Sequence, residues 1–228
     1  MADPDALNDG IRDALALDGD VAAIRRYYDG WADNYDADVG ADQYALPDQI
    51  AQLLAAVVTQ DGNEPIHGLT IQPGPPDPAI ADVGCGTGLI GARLHGAGYR
   101  TIDGLDLSPA MIEQAKDRGC YRRLQGEVDI TKPLAPNLVG TYDIVIVGGV
   151  FTVGHVPPTA LATVASLARP GGLLLVTTRT QYYDETNYQA VSDQLETDRT
   201  VQLITVHRDR PYTLDSVGHY WAYLVSPQ

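Results

Sequence analysis

The sequence predicts an α/β fold with a doubly wound, mostly parallel sheet of seven strands, preceded by a helical cap. From residue 79 onward, short apolar stretches of strand length alternate with helical patterns. This alternation is typical of parallel strands that helices cover on both faces. The last two strand patterns follow each other without a helix between them, which predicts an antiparallel C-terminal hairpin at the edge of the sheet.

The cap and the loop after it differ in composition from the rest of the chain. Residues 1–60 are predicted to form a helical cap or lid, with one helix from near Asp20 to near Gly30 and another that starts at Pro47. Residues 61–78 contain five prolines and three glycines, a density that predicts a surface loop. Residues 79–228 are expected to form the core of one structural domain overall.

The core segment is predicted to contain seven strands and four helices. The strand patterns are Ala79–Val83, Thr101–Leu107, Tyr121–Gln125, Tyr142–Val147, Leu173–Thr178, Val201–Val206 and Tyr220–Val225. The helical patterns are Leu89–His95, Pro109–Arg118, Pro158–Ala168 and Asp184–Leu195.

Composition and charge exclude several classes of function. The 228 residues are 44% hydrophobic, and no apolar run approaches the roughly 18 residues of a membrane span. The acidic N-terminus lacks the pattern of a secretory signal, and two cysteines are too few for a disulfide framework, so we expect a cytoplasmic protein. The net charge of −15 disfavours nucleic acids and anionic membranes as partners. We expect a small-molecule substrate and a monomer or homodimer.

A glycine-rich segment is the most informative part of the sequence. It reads Asp82-Val-Gly84-Cys85-Gly86-Thr-Gly88, follows the first strand and opens a helix. Glycines let the backbone turn sharply and let a ligand approach without meeting a Cβ atom. Tight turns between a strand and a helix also use glycine for packing alone, so this motif needs support from other residues.

Two acidic residues at strand ends supply that support. A carboxylate at Asp82 would repel a pyrophosphate group and suits a ligand with an ammonium group. Asp106 ends the second strand, 18 residues after Gly88, where a carboxylate can accept hydrogen bonds from both ribose hydroxyls. Asp103 is the alternative, but it lies nearer the middle of that strand.

The sequence resembles the class I S-adenosylmethionine-dependent methyltransferases, which have a Rossmann-like fold. The similar segments, in matching order over roughly residues 79–180, are Asp82-Val-Gly-Cys-Gly-Thr-Gly88, Gly104-Leu-Asp106-Leu-Ser-Pro, Tyr142-Asp143-Ile-Val-Ile-Val and Arg169-Pro-Gly-Gly172. A finer similarity is to the small methyltransferase-like proteins typified by the one from the Williams–Beuren syndrome region. It rests on Tyr28-Asp-Gly-Trp31-Ala-Asp-Asn-Tyr35-Asp36, Gly104-Leu-Asp-Leu-Ser and Gly149-Val-Phe-Thr-Val-Gly-His155-Val-Pro-Pro.

The resemblance implies a binding site for S-adenosylmethionine, with S-adenosylhomocysteine as its product. The implied cofactor-binding residues are Tyr28, Tyr35, Asp82, Gly84, Cys85, Gly86, Asp106, Leu107, Met111, Asp129, Ile130 and Gly148. Asp82, Gly84 and Gly86 would hold the methionine moiety, and Asp106 would hold the ribose.

The resemblance also assigns the adenine side and the position of methyl transfer. Leu107 and Met111 would lie beside the adenine, although helical spacing alone makes Met111 equally a core residue. Asp129 would meet the adenine amino group, and Glu127 is its competitor because the sequence has two acids where the pattern needs one. Gly148 would lie where the sulfonium and the incoming nucleophile meet.

The candidate substrate-binding residues are Trp31, Phe151, His155, Arg179 and Tyr182. Helical spacing puts Trp31 on one face with Tyr28 and Tyr35, and that face is either part of the core or a lid. His155 is the candidate general base, with substrate contact and a structural role as alternatives. Arg179 could meet a carboxylate, meet the edge of the cofactor or pair with a surface acid, while Phe151 and Tyr182 could equally be core residues.

These observations predict an enzyme that transfers a methyl group from S-adenosylmethionine to an oxygen, nitrogen or sulfur atom of a small molecule. The alternatives are a methyltransferase acting on a protein or RNA, a non-catalytic binder of the same cofactor, and a nicotinamide-dependent dehydrogenase. No spacing among the histidines indicates a metal site.

Overall fold

A computed structural model describes residues 9–41, 43–58 and 77–226 of the chain. Apart from residues 77 and 78, the predicted loop over residues 61–78 lies outside the described residues. Four cap helices come first: α1 (Asp9–Leu15), α2 (Val21–Trp31), α3 (Tyr35–Ala41) and α4 (Leu46–Val58). None of the helices in these ranges has both the length and the apolar character that crossing a bilayer requires.

The core alternates strands and helices up to its C-terminal hairpin. Its strands are β1 (Ile80–Val83), β2 (Ile102–Leu105), β3 (Arg123–Gln125), β4 (Tyr142–Phe151), β5 (Ala168–Arg179), β6 (Val201–Pro211) and β7 (Val217–Val225). Its helices are α5 (Leu89–Gly96), α6 (Pro109–Lys116), α7 (Ala160–Ala165), α8 (Thr180–Glu185) and α9 (Tyr188–Thr197).

The strands form one seven-stranded sheet in the order β3-β2-β1-β4-β5-β7-β6. The first five strands in this order are parallel to one another, whereas β7 runs antiparallel to both β5 and β6. This arrangement confirms the predicted doubly wound, mostly parallel sheet with an antiparallel C-terminal hairpin. The strand order reverses between β1 and β4, and ligands of open α/β sheets bind at such a reversal, beyond the carboxyl ends of the strands.

Both faces of the central strands are buried, as the apolar strand patterns predict. All four residues of β1 are buried. Val83 belongs to a core on one face of the sheet, and Ile80 belongs to a second core on the other face, together with Leu53 of α4. Successive side chains of a strand point to opposite faces, so Asp82 shares the face of Ile80.

The structure differs from the predicted boundaries in two informative places. The single helix predicted over Asp184–Leu195 is two helices, α8 and α9, because Thr186 adopts an extended conformation between them. Strand β4 continues past the predicted end at Val147, and its pairing with β5 shifts register between Val147 and Phe151. Gly149 lies in this irregular stretch with φ at +80°, a conformation that favours glycine.

Polar contacts hold the cap over the carboxyl end of the sheet. Ser108 begins α6 as its N-cap residue, and its hydroxyl also donates a hydrogen bond to Asp29 of α2 over 2.6 Å. Thr87, in the glycine-rich turn, donates to Asp36 of α3 over 2.5 Å. The cap therefore closes the space above the ends of β1 and β2.

Candidate active site

A cavity of about 810 Å³, including its open mouth, lies between the cap and the carboxyl ends of β1, β2 and β4. The predicted site residues that line it are Tyr28, Tyr35, Gly84, Gly86, Asp106, Leu107, Met111, Asp129, Ile130, Gly148 and His155. The structure thus brings together side chains from α2, α3, α6 and three strand ends. We call this space the first cavity.

Asp106 presents a fixed carboxylate to the first cavity. The amide of Gly86 donates to its Oδ2 and the amide of Ser108 donates to its Oδ1, each over 2.8 Å. Burial nevertheless raises the pKa of Asp106, and the amides that bind its charged form oppose that rise. Asp103 is buried against Arg122 instead, with ion-pair contacts of 2.7 and 2.9 Å. The geometry favours Asp106 over Asp103 as the ligand-facing acid.

The glycine-rich turn leaves room where side chains would block the cavity. Gly84 has φ at +67°, and a Cβ atom there would overlap the side chain of Val150. Gly86 has φ at +53°, and a Cβ atom there would meet nothing within 4 Å. The two glycines therefore differ, because Gly84 is required for packing whereas Gly86 opens onto the cavity.

Asp129 lines the far side of the first cavity, and Glu127 does not. Burial opposes ionisation of Asp129, but hydrogen bonds from Lys132 and Thr131 outweigh it and lower the pKa of this carboxyl. Glu127 is exposed and forms a 2.8 Å ion pair with Arg25. The placement favours Asp129 over its competitor.

Asp82 and Cys85 lie outside the wall of the first cavity. Asp82 is fully buried, and the hydroxyl of Tyr121 donates to its Oδ2 over 2.7 Å. Its Oδ1 has no hydrogen-bond partner among the described residues. Burial raises the pKa of Asp82 to about 7. The structure does not support the predicted ligand contact of Asp82, because its neighbour Val83 takes the face of the strand that borders the cavity.

A second cavity of about 440 Å³ adjoins the first. Both are bordered by Tyr28, Tyr35, Gly149 and His155. The other residues around the second cavity are Ile11, Ala14, Leu15, Trp31, Val39, Tyr44, Thr152, Arg179, Tyr212 and Thr213. A ligand in the first cavity and a ligand in the second would therefore meet at this shared boundary.

His155 and Tyr28 form a hydrogen-bonded pair at the shared boundary. The Tyr28 hydroxyl lies 2.8 Å from His155 Nε2, and His155 Nδ1 lies 3.1 Å from the carbonyl oxygen of Val153. A carbonyl only accepts, so we assign the proton to Nδ1, and Nε2 then accepts from Tyr28. Burial lowers the pKa of His155, with a further contribution from the charge of Arg179. The imidazole is therefore neutral near neutral pH.

The predicted substrate-binding residues divide into two groups. Trp31, His155 and Arg179 border the second cavity. Phe151 and Tyr182 are each 1% exposed and border neither cavity, so the structure places them in the core and corrects the prediction for both. Their rings contact each other with centroids 6.0 Å apart, and the Tyr182 hydroxyl donates to the Val156 carbonyl.

Several residues of the second cavity had no signal in the sequence. Tyr44 precedes α4, whereas Tyr212 lies in the turn between β6 and β7. Their rings lie 5.8 Å apart, and the amide of Ala45 donates to the Tyr212 carbonyl over 3.0 Å. Only the folded chain brings these distant segments together. Within the described ranges, no cluster of three or more His, Cys, Asp or Glu side chains could hold a metal ion.

Comparisons with known proteins agree on one family. Residues 81–174 match the methyltransferase domain family. The chain is 38% identical over 182 residues to human methyltransferase-like protein 27, which covers 78% of this chain and 67% of that protein. It is 32% identical over 125 residues to the malonyl-[acyl-carrier protein] O-methyltransferase of Halalkalibacterium halodurans, covering 51% of this chain and 46% of that protein.

Solved structures show the same fold. The magnesium protoporphyrin IX methyltransferase of Synechocystis, crystallised with bound S-adenosylhomocysteine, is similar with a TM-score of 0.62 at 17% identity, covering 91% of this chain and 100% of that chain. Its complex with S-adenosylmethionine is similar with a TM-score of 0.61 at 20% identity, covering 92% of this chain and 99% of that chain.

Proposed function

The chain belongs to the class I S-adenosylmethionine-dependent methyltransferases, and on that premise we propose that it methylates a small molecule bound in the second cavity. The observation that carries this proposal is the shared boundary of the two cavities. Four residues border both spaces, so a methyl donor in the first cavity and an acceptor in the second would lie on the two sides of one boundary that is a single layer of side chains thick.

The first cavity fits the cofactor in charge and in shape. Its described lining contains the carboxylates of Asp106 and Asp129 and no lysine or arginine, although Lys132, behind the lining, pairs with Asp129 over 2.7 Å and leaves Asp106 as the main negative charge. S-adenosylmethionine supplies a methyl group on a positively charged sulfur, and this negative lining suits such a cation. The same lining would repel a diphosphate, which argues against a nicotinamide dinucleotide. The open Gly86 leaves backbone accessible to the ligand.

Each residue of the first cavity has a proposed task that its environment supports. Asp106 accepts hydrogen bonds from ribose hydroxyls, because two amides already fix the direction of its carboxylate. Asp129 accepts from the adenine amino group, and Leu107 and Met111 provide apolar contacts. Tyr28 lies over the cavity from the cap, where an aromatic face can stabilise a nearby cation by about 0.5–2 kcal/mol.

The tasks on the acceptor side are alignment, exclusion of water and, for a protonated acceptor, removal of a proton. The rings of Tyr28 and Tyr35, both from the cap, border the two cavities, and we propose that they limit the access of water to the acceptor. His155 Nε2 is the basic atom there, and Tyr28 already donates to it. We propose that a protonated acceptor transfers its proton to His155, either after the Tyr28 hydroxyl rotates away or through that hydroxyl.

A small acceptor is favoured over a protein or an RNA. Cap residues such as Trp31 and Tyr35 form part of the wall of the second cavity, so a folded macromolecule would have to displace the cap to reach Gly149. The net charge of −15 also disfavours RNA. The comparisons leave the acceptor open, and location in the cytoplasm stays a prediction.

The proposal is tested with tritiated S-adenosylmethionine and a cell extract divided by size into small molecules, proteins and RNA. We expect incorporation only in the small-molecule fraction. Binding of S-adenosylhomocysteine is measured in parallel by calorimetry, with NAD as the control ligand. Labelling of the protein or RNA fraction would contradict the acceptor assignment, and binding of NAD alone would contradict the cofactor assignment.

A further inference from the structure

We infer that the acceptor carries a carboxylate group and that Arg179 binds it in the second cavity. This inference rests on the proposed function, because it treats the second cavity as the acceptor site. It goes beyond that function by stating the chemical class of the acceptor. The observations that carry it are the charges, the hydrogen-bond donors and the position of this one guanidinium.

Arg179 is the single formally charged side chain among the described residues that border the second cavity. The other polar groups around it are tyrosine, tryptophan, threonine and histidine side chains. No aspartate or glutamate of the described ranges lies within ion-pair distance of Arg179. In a chain with 30 acidic and 15 basic residues, a half-buried arginine without a carboxylate partner is unexpected.

The contacts of Arg179 position it without neutralising it. Its guanidinium carbon lies 4.6 Å from the centre of the Tyr212 ring, and Nη1 makes a long hydrogen bond of 3.4 Å to the Ser216 hydroxyl. An arginine stacked on a ring keeps its planar fork of N–H donors available for a carboxylate. Removing a cation from water is unfavourable unless an anion or strong acceptors replace the water. A carboxylate on the ligand would supply that anion.

The rest of the cavity supplies donors that suit the same ligand. A Cβ atom built on Gly149 would lie 2.9 Å from the Tyr44 hydroxyl oxygen and 3.6 Å from that of Tyr212, so both hydroxyls converge on the shared boundary. Burial raises the pKa of Tyr35 and of Tyr44, which keeps both phenols protonated as donors. Protonated phenols and a guanidinium together favour a ligand rich in hydrogen-bond acceptors.

A singly charged carboxylate fits this cavity better than a cation or a phosphate. Arg179 would repel an ammonium group inside the cavity, although the acidic surface would attract one from solution. A phosphate dianion would leave one negative charge without a partner beside the carboxylate of Asp106 in the first cavity. One guanidinium balances one carboxylate.

The experiment measures thermal stability at saturating S-adenosylhomocysteine, with three matched probe sets. The sets are butyrate, hexanoate and benzoate, their amides, and the corresponding butyl, hexyl and benzyl amines. We expect the full-length wild-type chain to bind at least one acid about tenfold more tightly than its amide, the effect of one charged hydrogen bond, and more tightly than its amine.

Variants assign that preference to Arg179. Arg179→Gln should remove the preference for the acid, and Arg179→Lys should retain part of it, because lysine keeps the charge and loses the fork. Arg208→Gln is the matched control, since Arg208 also stacks on aromatic rings, at 4.9 Å from Tyr183 and 5.1 Å from Trp221, but borders neither cavity. It should leave the preference unchanged.

The outcomes separate this inference from the proposed function. If S-adenosylhomocysteine stabilises the wild-type chain but acids and amides bind alike, the inference is overturned and the proposed function stands. If the preference survives in Arg179→Gln or, where that variant is unfolded, in Arg179→Met, which keeps the apolar stem and removes the charge, Arg179 is not its cause and the inference is overturned. If S-adenosylhomocysteine fails to stabilise the wild-type chain, the proposed function itself is wrong, and the inference fails with it.

Discussion

The two cavities differ most in charge. The first contains the carboxylates of Asp106 and Asp129, whereas the second contains the guanidinium of Arg179. The boundary between them is formed by Tyr28, Gly149 and other uncharged groups. This difference indicates how one protein sorts two ligands, since each cavity stabilises the charge opposite to its own. A cationic methyl donor and an anionic acceptor would each be favoured on one side and repelled on the other.

The cavities also differ in how the chain builds them. The first is built mainly from the turns after β1, β2 and β4, so most of its wall lies within short sequence motifs. The second needs α1, the segment before α4, the end of β5 and the turn between β6 and β7. Both cavities therefore depend on the docking of the cap, but a change in one short motif can alter most of the first wall, whereas the second wall draws on segments spread along the whole chain.

The strongest test of this comparison removes the central charge of the first cavity. In the wild-type chain, S-adenosylhomocysteine at a hundredfold excess over its dissociation constant should add about 2.7 kcal/mol to the free energy of unfolding. Asp106→Ala should abolish most of this gain, because the variant loses the acceptor for the ribose and the anchor of the Gly86 amide. Thermal unfolding with and without the ligand measures the effect.

Glu127→Ala is the control for that experiment. It removes the same charge from an exposed position outside both cavities. Its ligand response should match that of the wild-type chain. A full response in Asp106→Ala would show that the ribose is held elsewhere and would end the assignment.

A second test uses Asp82, which lies one residue before the end of the neighbouring strand β1 but outside the cavity wall. Its pKa rises from 3.8 to about 7 on folding, so the folded state holds a proton that the unfolded state releases, and stability falls as pH rises from about 4 to 7. Asp82→Asn should remove this loss and raise the free energy of unfolding at pH 8 by about 2 kcal/mol. The full shift in pKa would correspond to a larger gain, at about 1.4 kcal/mol for each pKa unit. We expect less because the asparagine amide brings N–H donors into a buried site.

Denaturant unfolding at pH 5 and pH 8 measures that change, with Glu127→Gln as a surface control. The affinity for S-adenosylhomocysteine should fall less in Asp82→Asn than in Asp106→Ala. A loss of affinity as large as that of Asp106→Ala would mean that Asp82 contacts the ligand. The negative charge of the first cavity would then include a residue outside the wall described above.

The sequence was sufficient to predict the fold and most of the first cavity. Alternating apolar strands and helices predict the sheet, Gly86 and Asp106 follow predicted strands in short motifs, and the resemblance to the methyltransferases implied Asp129. The sequence could not distinguish residues of the cavity wall from residues of the hydrophobic core where both are apolar or aromatic. Phe151 and Tyr182 are aromatic residues of the type that often lines pockets. They lie in the core because of the register shift in β4 and the packing of α8.

The second cavity was the harder part to predict. Tyr44 and Tyr212 are 168 residues apart in the chain, and no local periodicity connects them. Arg179 was recognisable as a cation after a strand, but only the folded chain shows that none of the described carboxylates lies within ion-pair distance of it. The direction of the Asp82 side chain was likewise not predictable. Side chains alternate along a strand, but the structure was needed to show that Val83, and therefore not Asp82, faces the cavity.

A third test fills the open side of the glycine-rich turn. Gly86→Ala should lower the free energy of unfolding by about 1 kcal/mol, the usual cost of a side chain at positive φ, because its Cβ atom meets no other atom of the protein. The added methyl group would enter the space of the cofactor and weaken S-adenosylhomocysteine binding. Gly98→Ala is the control, since Gly98 also has positive φ and open surroundings but lies outside the cavity. Equal ligand affinity in both variants would contradict the placement of the cofactor beside Gly86.

The smallest expected effect concerns the boundary between the cavities. Burial, with the charge of Arg179, lowers the pKa of His155 below its ordinary 6.5. As pH falls below 6.5 the unfolded state therefore binds a proton more readily than the folded state, and stability falls. His155→Gln should remove this loss of stability in acid. The difference in the free energy of unfolding between pH 5.5 and pH 7.5 should shrink by less than about 1 kcal/mol.

Urea unfolding at both pH values measures this difference, with His207→Gln as the control because His207 is exposed on β6. An unchanged pH dependence in His155→Gln would mean that the imidazole is not held neutral between the cavities. The boundary would then carry a positive charge in mild acid, adding to that of Arg179. In that case the contrast between a negative and a positive cavity would sharpen as pH falls, and methyl transfer that needs His155 as a base would be lost over the same range.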